Sequence, residues 1–165
     1  MNGWRKGLWL RVELARQRLY VHQDEQVLCD YSVSSAANGP GEHIGSGCTP
    51  RGWHCVRIRI GAGCPENTVF VARRPSGEIW SPSLAARFPQ RDWILTRILW
   101  LSGLEPGINR GGAVDTLRRF IYVHGTPPDE PMGVPYSHGC IRMRNDDLLD
   151  LFASVRAGTR VWIHE

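Results

Sequence analysis

A histidine and a cysteine in one short stretch are the residue types that nucleophilic catalysis requires. His124 is followed by Gly125, and a proline-rich loop separates this pair from Ser137-His138-Gly139-Cys140. A cysteine becomes a nucleophile when its thiol loses a proton, and a histidine within hydrogen-bond reach can accept that proton and stabilise the thiolate. The stretch therefore predicts Cys140 as a nucleophile and His124 as its general base.

Residues beside this pair would complete such a site. No acidic side chain adjoins His124, so we expect a backbone carbonyl to orient its second ring nitrogen. Gly139 permits close approach of a substrate, and its amide and that of Cys140 are candidates for stabilising an oxyanion. His138 is expected to line the pocket. Arg142 lies on the same side of an extended strand as Cys140, so we expect it to bind a carboxylate.

Alternating apolar residues indicate a mainly β chain as the scaffold of this site. The expected strands cover residues 8–12, 18–21, 27–34, 53–60, 120–123 and 160–164. Residues 93–101 fit either a helical stripe or a buried strand, and their β-branched and aromatic content favours the strand.

Two short helices are also expected. Ser81 followed by Pro82 predicts a helix that ends near Phe88. Asn145, followed by two aspartates, predicts a second helix that stops before Gly158. The segment between the strands at 36–52 is rich in Gly, Pro and Asn and is predicted to be a loop. Residues 65–90 hold no long periodic element and are a candidate surface flap; whether they cover the pocket stays open.

Length and composition exclude several classes of protein. The 165 residues fit a single domain, 1–165, within the usual range of roughly 100 to 200. Apolar types make up 42% and charged types 22%, which excludes a disordered or fibrous chain. No apolar run approaches the roughly 20 residues that span a bilayer. The net charge of +4 comes from scattered arginines, so we expect no nucleic-acid partner.

The five cysteines indicate neither a disulfide framework nor a metal site. Their number is odd, and no two of them form a Cys-x-x-Cys pair. A zinc cluster is the alternative role for some of these cysteines, but the spacings of its candidate ligands fit no common zinc finger. Its candidate ligands are His43, Cys48, His54, Cys55 and Cys64. We therefore expect no metal and no other cofactor.

The catalytic stretch resembles the signature of the L,D-transpeptidase (YkuD-type) catalytic domain. His124-Gly125, Ser137-His138-Gly139-Cys140 and Arg142 match that signature in order. Residues 17–21, 49–52 and 115–121 also look like this family, so the resemblance covers nearly the full chain. It implies a single-domain β-sandwich or flattened barrel with one or two short helices. The spacer between His124 and Ser137 is short for the family.

The resemblance also implies a reaction and roles for the residues. Cys140 would attack the carbonyl at the L-centre of diaminopimelate in a peptidoglycan tetrapeptide stem, expel D-alanine and form a thioester. His124 would be the base, oriented by the Gly125 carbonyl, and the amides of Gly139 and Cys140 would form the oxyanion site. The remaining motif residues would bind substrate; they are Ser137, His138 and Arg142.

The acceptor of the acyl group then determines the activity. Water would give an L,D-carboxypeptidase, whereas an amine from a second stem would give a cross-linking transpeptidase. The first ten residues lack the roughly 7 to 15 apolar residues of a secretory signal. We therefore expect a cytoplasmic carboxypeptidase of murein recycling. The alternatives are a periplasmic transpeptidase, if a longer leader was removed, and a non-catalytic muropeptide-binding domain.

Overall fold

Ten strands and two short helices make up the fold in the computed structural model, which describes residues 2–165. The strands are β1 (Leu8–Glu13), β2 (Arg18–Gln23), β3 (Gln26–Ser34), β4 (Gly52–Ile60), β5 (Thr68–Val71), β6 (Arg74–Ile79), β7 (Leu95–Gly103), β8 (Tyr122–Gly125), β9 (Ile141–Met143) and β10 (Arg160–His164). The helices are α1 (Pro82–Arg87) and α2 (Asn145–Ser154), and 3-10 turns lie at Asn2–Arg5 and Gly112–Val114.

Eight of the strands close into a flattened barrel. Their order is β4-β10-β1-β2-β3-β9-β8-β7, and a further pairing of β7 with β4 completes the circle. Closure leaves these strands without free edges, which removes a site for edge-to-edge aggregation. The pairs β1–β10 and β8–β9 are parallel, and the others are antiparallel. The hairpin of β5 and β6 extends from β7 outside the barrel.

The core forms where the alternating strand residues point inward. In β1, Leu10 and Val12 are fully buried, and they belong to one apolar cluster with residues of most other barrel strands. Helix α2 contributes the buried Leu148, Leu151 and Phe152 to the same cluster. The apolar face of α2 therefore closes the barrel beside β7 and β8.

The observed elements confirm most of the sequence predictions. Strand β7 (Leu95–Gly103) covers most of the predicted strand at residues 93–101, and Ser81 accepts a hydrogen bond from the Leu84 amide at the start of α1. Two predictions were wrong. Residues 65–90 contain the β5–β6 hairpin, and α2 is preceded by Arg144, so Asn145 is its first residue and not its cap. The Asn145 side chain instead donates to the Asn67 side chain at 2.8 Å.

Within residues 2–165, no helix combines the length and apolar character that crossing a bilayer requires.

Candidate active site

Strands β8 and β9 bring the two ends of the catalytic stretch together. They pair in parallel, with His124 of β8 opposite Arg142 of β9. Cys140 immediately precedes β9, and its sulfur accepts a hydrogen bond from the Tyr122 amide of β8 at 3.3 Å. The register therefore places Cys140 level with Tyr122, two residues before His124 on β8.

His124 is buried and held in one orientation. Its Nδ1 lies 2.7 Å from the Gly125 carbonyl, which can only accept a hydrogen bond. The proton of a neutral ring therefore sits on Nδ1, and Nε2 keeps the lone pair that a general base needs. Burial lowers the pKa of His124, although the Gly125 carbonyl and Asp92 act in the opposite direction. The ring is thus neutral near pH 7 and able to accept a proton.

Cys140 rests as a neutral thiol. Its sulfur donates to the Phe120 carbonyl at 3.4 Å, and burial raises the pKa of the thiol to about 12, while the Tyr122 amide lowers it. Within the described chain, no hydrogen bond joins this sulfur to His124. The expected thiolate at His124 is therefore not the resting state. Rotation of the thiol towards His124 and loss of its proton must accompany attack on the substrate.

Ser137 and Gly139 shape the turn that presents Cys140. Ser137 is buried, and its hydroxyl donates to the Cys140 carbonyl and accepts from the Gly139 amide at 3.3 Å. A short polar side chain that bonds to its own turn has no free hydroxyl hydrogen for a ligand. The role of Ser137 in binding substrate stays a prediction, and in this structure its hydroxyl bonds within its own turn. The Gly139 amide, expected to face an oxyanion, is likewise engaged by Ser137.

Arg142 does not present a free guanidinium to a substrate carboxylate. Its side chain is only 5% exposed and contacts Asp92 at 3.0 Å and Glu130 at 3.3 Å. Since two carboxylates of the protein already neutralise this cation, a substrate carboxylate would have to displace one of them. The carboxylate clamp at Arg142 stays a prediction, and in this structure Arg142 pairs with Asp92 and Glu130 in the wall of the pocket.

Asp92 is a site residue that the sequence did not reveal. It bonds to both Arg142 and His138, whose Nδ1 lies 3.2 Å from it. Burial alone would raise the pKa of Asp92, but the nearby His124, His138 and Arg142 lower it, so the carboxylate is ionised. No spacing rule connects residue 92 with the catalytic stretch. Only the barrel, which carries Asp92 to β9, brings them together.

A pocket of about 430 Å³ lies beside this network and is lined in part by His138, with 77% of its side chain exposed. Pro89 and Gln90, at the end of the segment 65–90, form part of one wall. The remaining wall residues are Ala37, Arg91, Asp92, Glu130, Tyr136 and Arg142. The pocket thus offers charged groups of both signs, and two of its lining residues, His138 and Arg142, are each two positions from Cys140 in the sequence.

Gly125 is required by close packing behind His124. A β-carbon at this position would lie 2.2 Å from Asn145 Oδ1 and 2.6 Å from the Leu95 carbonyl oxygen. Only a residue without a side chain allows β7 and the start of α2 to approach β8 this closely. The same glycine therefore supplies the carbonyl for His124 and the space for its neighbours.

The candidate zinc ligands are engaged in other ways. Both ring nitrogens of the fully buried His54 have partners, the Gly52 carbonyl and the Thr116 hydroxyl, each at 3.0 Å. Among residues 2–165, no group of three or more potential ligands is arranged around a common point. None of the cysteines forms a disulfide in this part of the chain.

Comparison with known proteins gives consistent matches along the whole chain. Residues 7–163 match the family described as YkuD, the L,D-transpeptidase catalytic domain. Probable L,D-transpeptidase YbiS of Escherichia coli K12 is 31% identical over 121 residues, covering 68% of this chain and 39% of that protein. Probable L,D-transpeptidase ErfK/SrfK of Salmonella typhimurium is 33% identical over 123 residues, covering 69% and 39% respectively. The chain thus spans about two fifths of the length of these relatives.

Solved structures share the same architecture at low sequence identity. An L,D-transpeptidase from Mycobacterium smegmatis aligns with a TM-score of 0.60 and 17% identity, covering 96% of this chain and 59% of that one. The L,D-transpeptidase of Xylanimonas cellulosilytica aligns with a TM-score of 0.56 and 21% identity, covering 96% and 61%. These matches bear on the fold alone, and they agree with the closed β architecture.

Proposed function

The chain belongs to the L,D-transpeptidase catalytic domain family, and on this premise we propose that it is a cysteine acyl-transfer enzyme of peptidoglycan. Its substrate is the tetrapeptide stem, cleaved between diaminopimelate and the terminal D-alanine. The observation that carries the proposal is the pairing of β8 with β9. This pairing supports the proposal because it brings Cys140 level with Tyr122, two residues before His124, whose Nδ1 is held by the Gly125 carbonyl.

The first half of the reaction transfers the acyl group to sulfur. The Cys140 thiol turns from the Phe120 carbonyl, gives its proton to His124 Nε2 and attacks the carbonyl carbon. The bond to the D-alanine nitrogen then breaks, His124 returns its proton to that amine, and a thioester remains on Cys140. A neutral thiol and a neutral imidazole are suited to this transfer because neither requires a buried charge at rest.

An amine is the acceptor that we favour for the second half. The curated relatives that the chain matches are named as probable L,D-transpeptidases. The pocket that His138 and Arg142 line also carries the carboxylates of Asp92 and Glu130, and a ligand with ammonium groups would compete with Arg142 for them. An enzyme that cross-links two stems acts beside the cell wall, so this assignment goes with a periplasmic location.

Hydrolysis of the same thioester is the second candidate. Cys140 is only half-buried, so water can reach the acyl group without a further opening. The protein would then be an L,D-carboxypeptidase that trims tetrapeptides to tripeptides. Acting on soluble muropeptides in the cytoplasm, it would serve murein recycling.

Incubation with a purified disaccharide-tetrapeptide tests these assignments. Mass analysis of the products should find cross-linked dimers if an amine is the acceptor, or tripeptide and free D-alanine if water is. Cys140→Ala should abolish either product, and the matched variant Cys29→Ala, at an exposed cysteine on β3, should not. Binding of the tetrapeptide without any product would contradict catalysis and favour a muropeptide-binding domain.

A further inference from the structure

Arg119 lies between the Gly112–Val114 turn and β8, and the tip of its guanidinium donates hydrogen bonds to a single loop. Its Nη1 donates to the carbonyls of Gly41 and Glu42, at 3.1 and 3.0 Å. Its Nη2 donates to the Cys48 carbonyl at 2.6 Å and to the Ser46 hydroxyl at 3.3 Å. A guanidinium has five donor hydrogens, and these contacts use the four at its tip. Arg119 therefore has no tip donor left for a substrate.

The loop that Arg119 holds, residues 41–49, packs directly on the turn that presents the nucleophile. The Thr49 hydroxyl donates to the Gly139 carbonyl at 2.9 Å and accepts from the Ala36 amide at 2.9 Å. The Cys48 carbonyl, itself bound by Arg119, lies 3.4 Å from the position that a β-carbon of Gly139 would occupy. The contacts thus run from Arg119 through this loop to the residue before Cys140.

A second connection runs through the backbone. Phe120, the next residue after Arg119, has a left-handed φ of 57°, which is uncommon for a bulky side chain. Its carbonyl accepts the hydrogen bond that the Cys140 thiol donates. The guanidinium of Arg119 and the thiol acceptor are therefore fixed by adjacent residues of the same strained turn.

We propose that Arg119 is a positioning residue of the reaction: it clamps the loop 41–49 against the Gly139–Cys140 turn and thereby fixes the position of the Cys140 thiol. This inference rests on the proposed function and adds a residue outside the family motif. A guanidinium bridges the two ends of the loop because its planar fork reaches carbonyls on both, which an ammonium cannot do.

The charge environment agrees with this role. Burial raises the pKa of the Cys140 thiol, and Arg119 is among the groups that lower it. The charged and titratable groups around the sulfur are Asp92, Arg119, Tyr122, His124 and Arg142, with Cys64 in the same apolar cluster. Those around the Arg119 guanidinium are Glu42, Cys48, His54 and Cys140.

Two substitutions at this position separate the clamp from the charge. Arg119→Lys keeps the charge and loses the fork, whereas Arg119→Gln loses both. The neighbouring Arg118→Gln, at an exposed side chain, is the matched control. The readouts are the rate at which iodoacetamide alkylates Cys140 as a function of pH, with Cys29 as an internal reference, and the turnover of tetrapeptide.

The Gln variant should alkylate at Cys140 about tenfold more slowly than the Lys variant at a fixed alkaline pH, which corresponds to one pKa unit. Both variants should lose at least about tenfold in kcat with little change in KM, because a misplaced nucleophile slows the chemical step. Arg118→Gln should match the wild type. The proposal would be overturned if both Arg119 variants matched the wild type in their alkylation profiles and in their turnover.

Two features keep the test decisive. Alkylation needs no substrate, so a wild type without turnover would refute the proposed function while the Lys and Gln variants still test the charge of Arg119. If Arg119→Gln does not fold, Thr49→Val is the second test. It removes the hydrogen bond by which the clamped loop holds the Gly139 carbonyl. That variant should also lose kcat, and wild-type kcat in it would overturn the proposed clamp.

Discussion

At the scale of single residues, the account depends on a proton that moves during the reaction and not before it. Burial raises the pKa of Cys140 and lowers that of His124, so both groups are neutral at rest. This differs from a preformed thiolate and imidazolium pair. The rate therefore depends on the basicity of His124. It also depends on the Gly125 carbonyl, which orients the ring.

Removing the base should therefore slow turnover strongly. His124→Ala is expected to lower kcat by about 10² to 10⁴, the usual contribution of general-base catalysis. Steady-state turnover of tetrapeptide measures this, with His164→Gln on β10 as the control that should retain activity. A loss below about tenfold would remove His124 from the role of general base.

The carboxylate of Asp92 should set the pH range of activity. His124 must be neutral to act, so kcat/KM should rise with pH through its folded pKa, which lies below the usual 6.5, and then level off. Asp92 raises the pKa of His124, and Asp92→Asn removes that influence. The acid limb of the profile should therefore move to lower pH. The distant Asp30→Asn should leave the limb in place, and an unmoved limb in Asp92→Asn would contradict this role.

The sequence could predict local parts of the site but not its long-range partners. The order of His124, Gly125 and Cys140 was enough to indicate a nucleophile, a base and a carbonyl that orients the base. The partners of Arg142 were missed because Asp92 and Glu130 reach it only through the fold. The sequence likewise carried no sign that Ser137 would turn back onto its own backbone.

At the scale of elements, the site depends on how closely two of them, β7 and α2, approach β8. Strand β7 and the first residue of α2 leave no room for a side chain at Gly125, as the 2.2 Å spacing to Asn145 Oδ1 requires. The sequence predicted β8, β7 and α2 individually. It could not predict their contact, since apolar alternation fixes which residues are buried but not which strands are neighbours.

A methyl group at this contact should be costly. Gly125→Ala is expected to lower the free energy of unfolding by about 1 to 3 kcal/mol, the usual range for overpacking, and to reduce turnover by displacing His124. Urea unfolding followed by tryptophan fluorescence measures the first effect. Gly3→Ala is the matched control, because nothing lies within 4 Å of its added β-carbon. Equal stability of the two variants would refute the packing argument.

At the scale of the whole molecule, the closed barrel buries groups that resist protonation. His54 on β4 is fully buried, and burial lowers its pKa to about 4, while the Gly52 carbonyl acts in the opposite direction. The unfolded chain, with a histidine pKa near 6.5, binds this proton more readily than the folded one does. The stabilising contribution is therefore complete above pH 6.5 and is lost as the pH falls towards 4.

Acid should consequently destabilise the barrel before most carboxylates titrate. The shift of His54 corresponds to about 3 kcal/mol, using 1.36 kcal/mol per pKa unit. Melting temperatures between pH 7 and 4 should fall more steeply in the wild type than in His54→Gln, which cannot be protonated. Parallel curves for the two proteins would show that His54 does not contribute to the acid sensitivity.

The most direct test of the account is the mass of the trapped acyl-enzyme. Rapid acid quenching during tetrapeptide turnover, followed by peptide mapping, locates the covalent group. We predict a thioester on Cys140 that carries the stem without its terminal D-alanine, and none in Cys140→Ala. An adduct on any other residue, or product formation by Cys140→Ala, would contradict the assignment of Cys140 as the nucleophile.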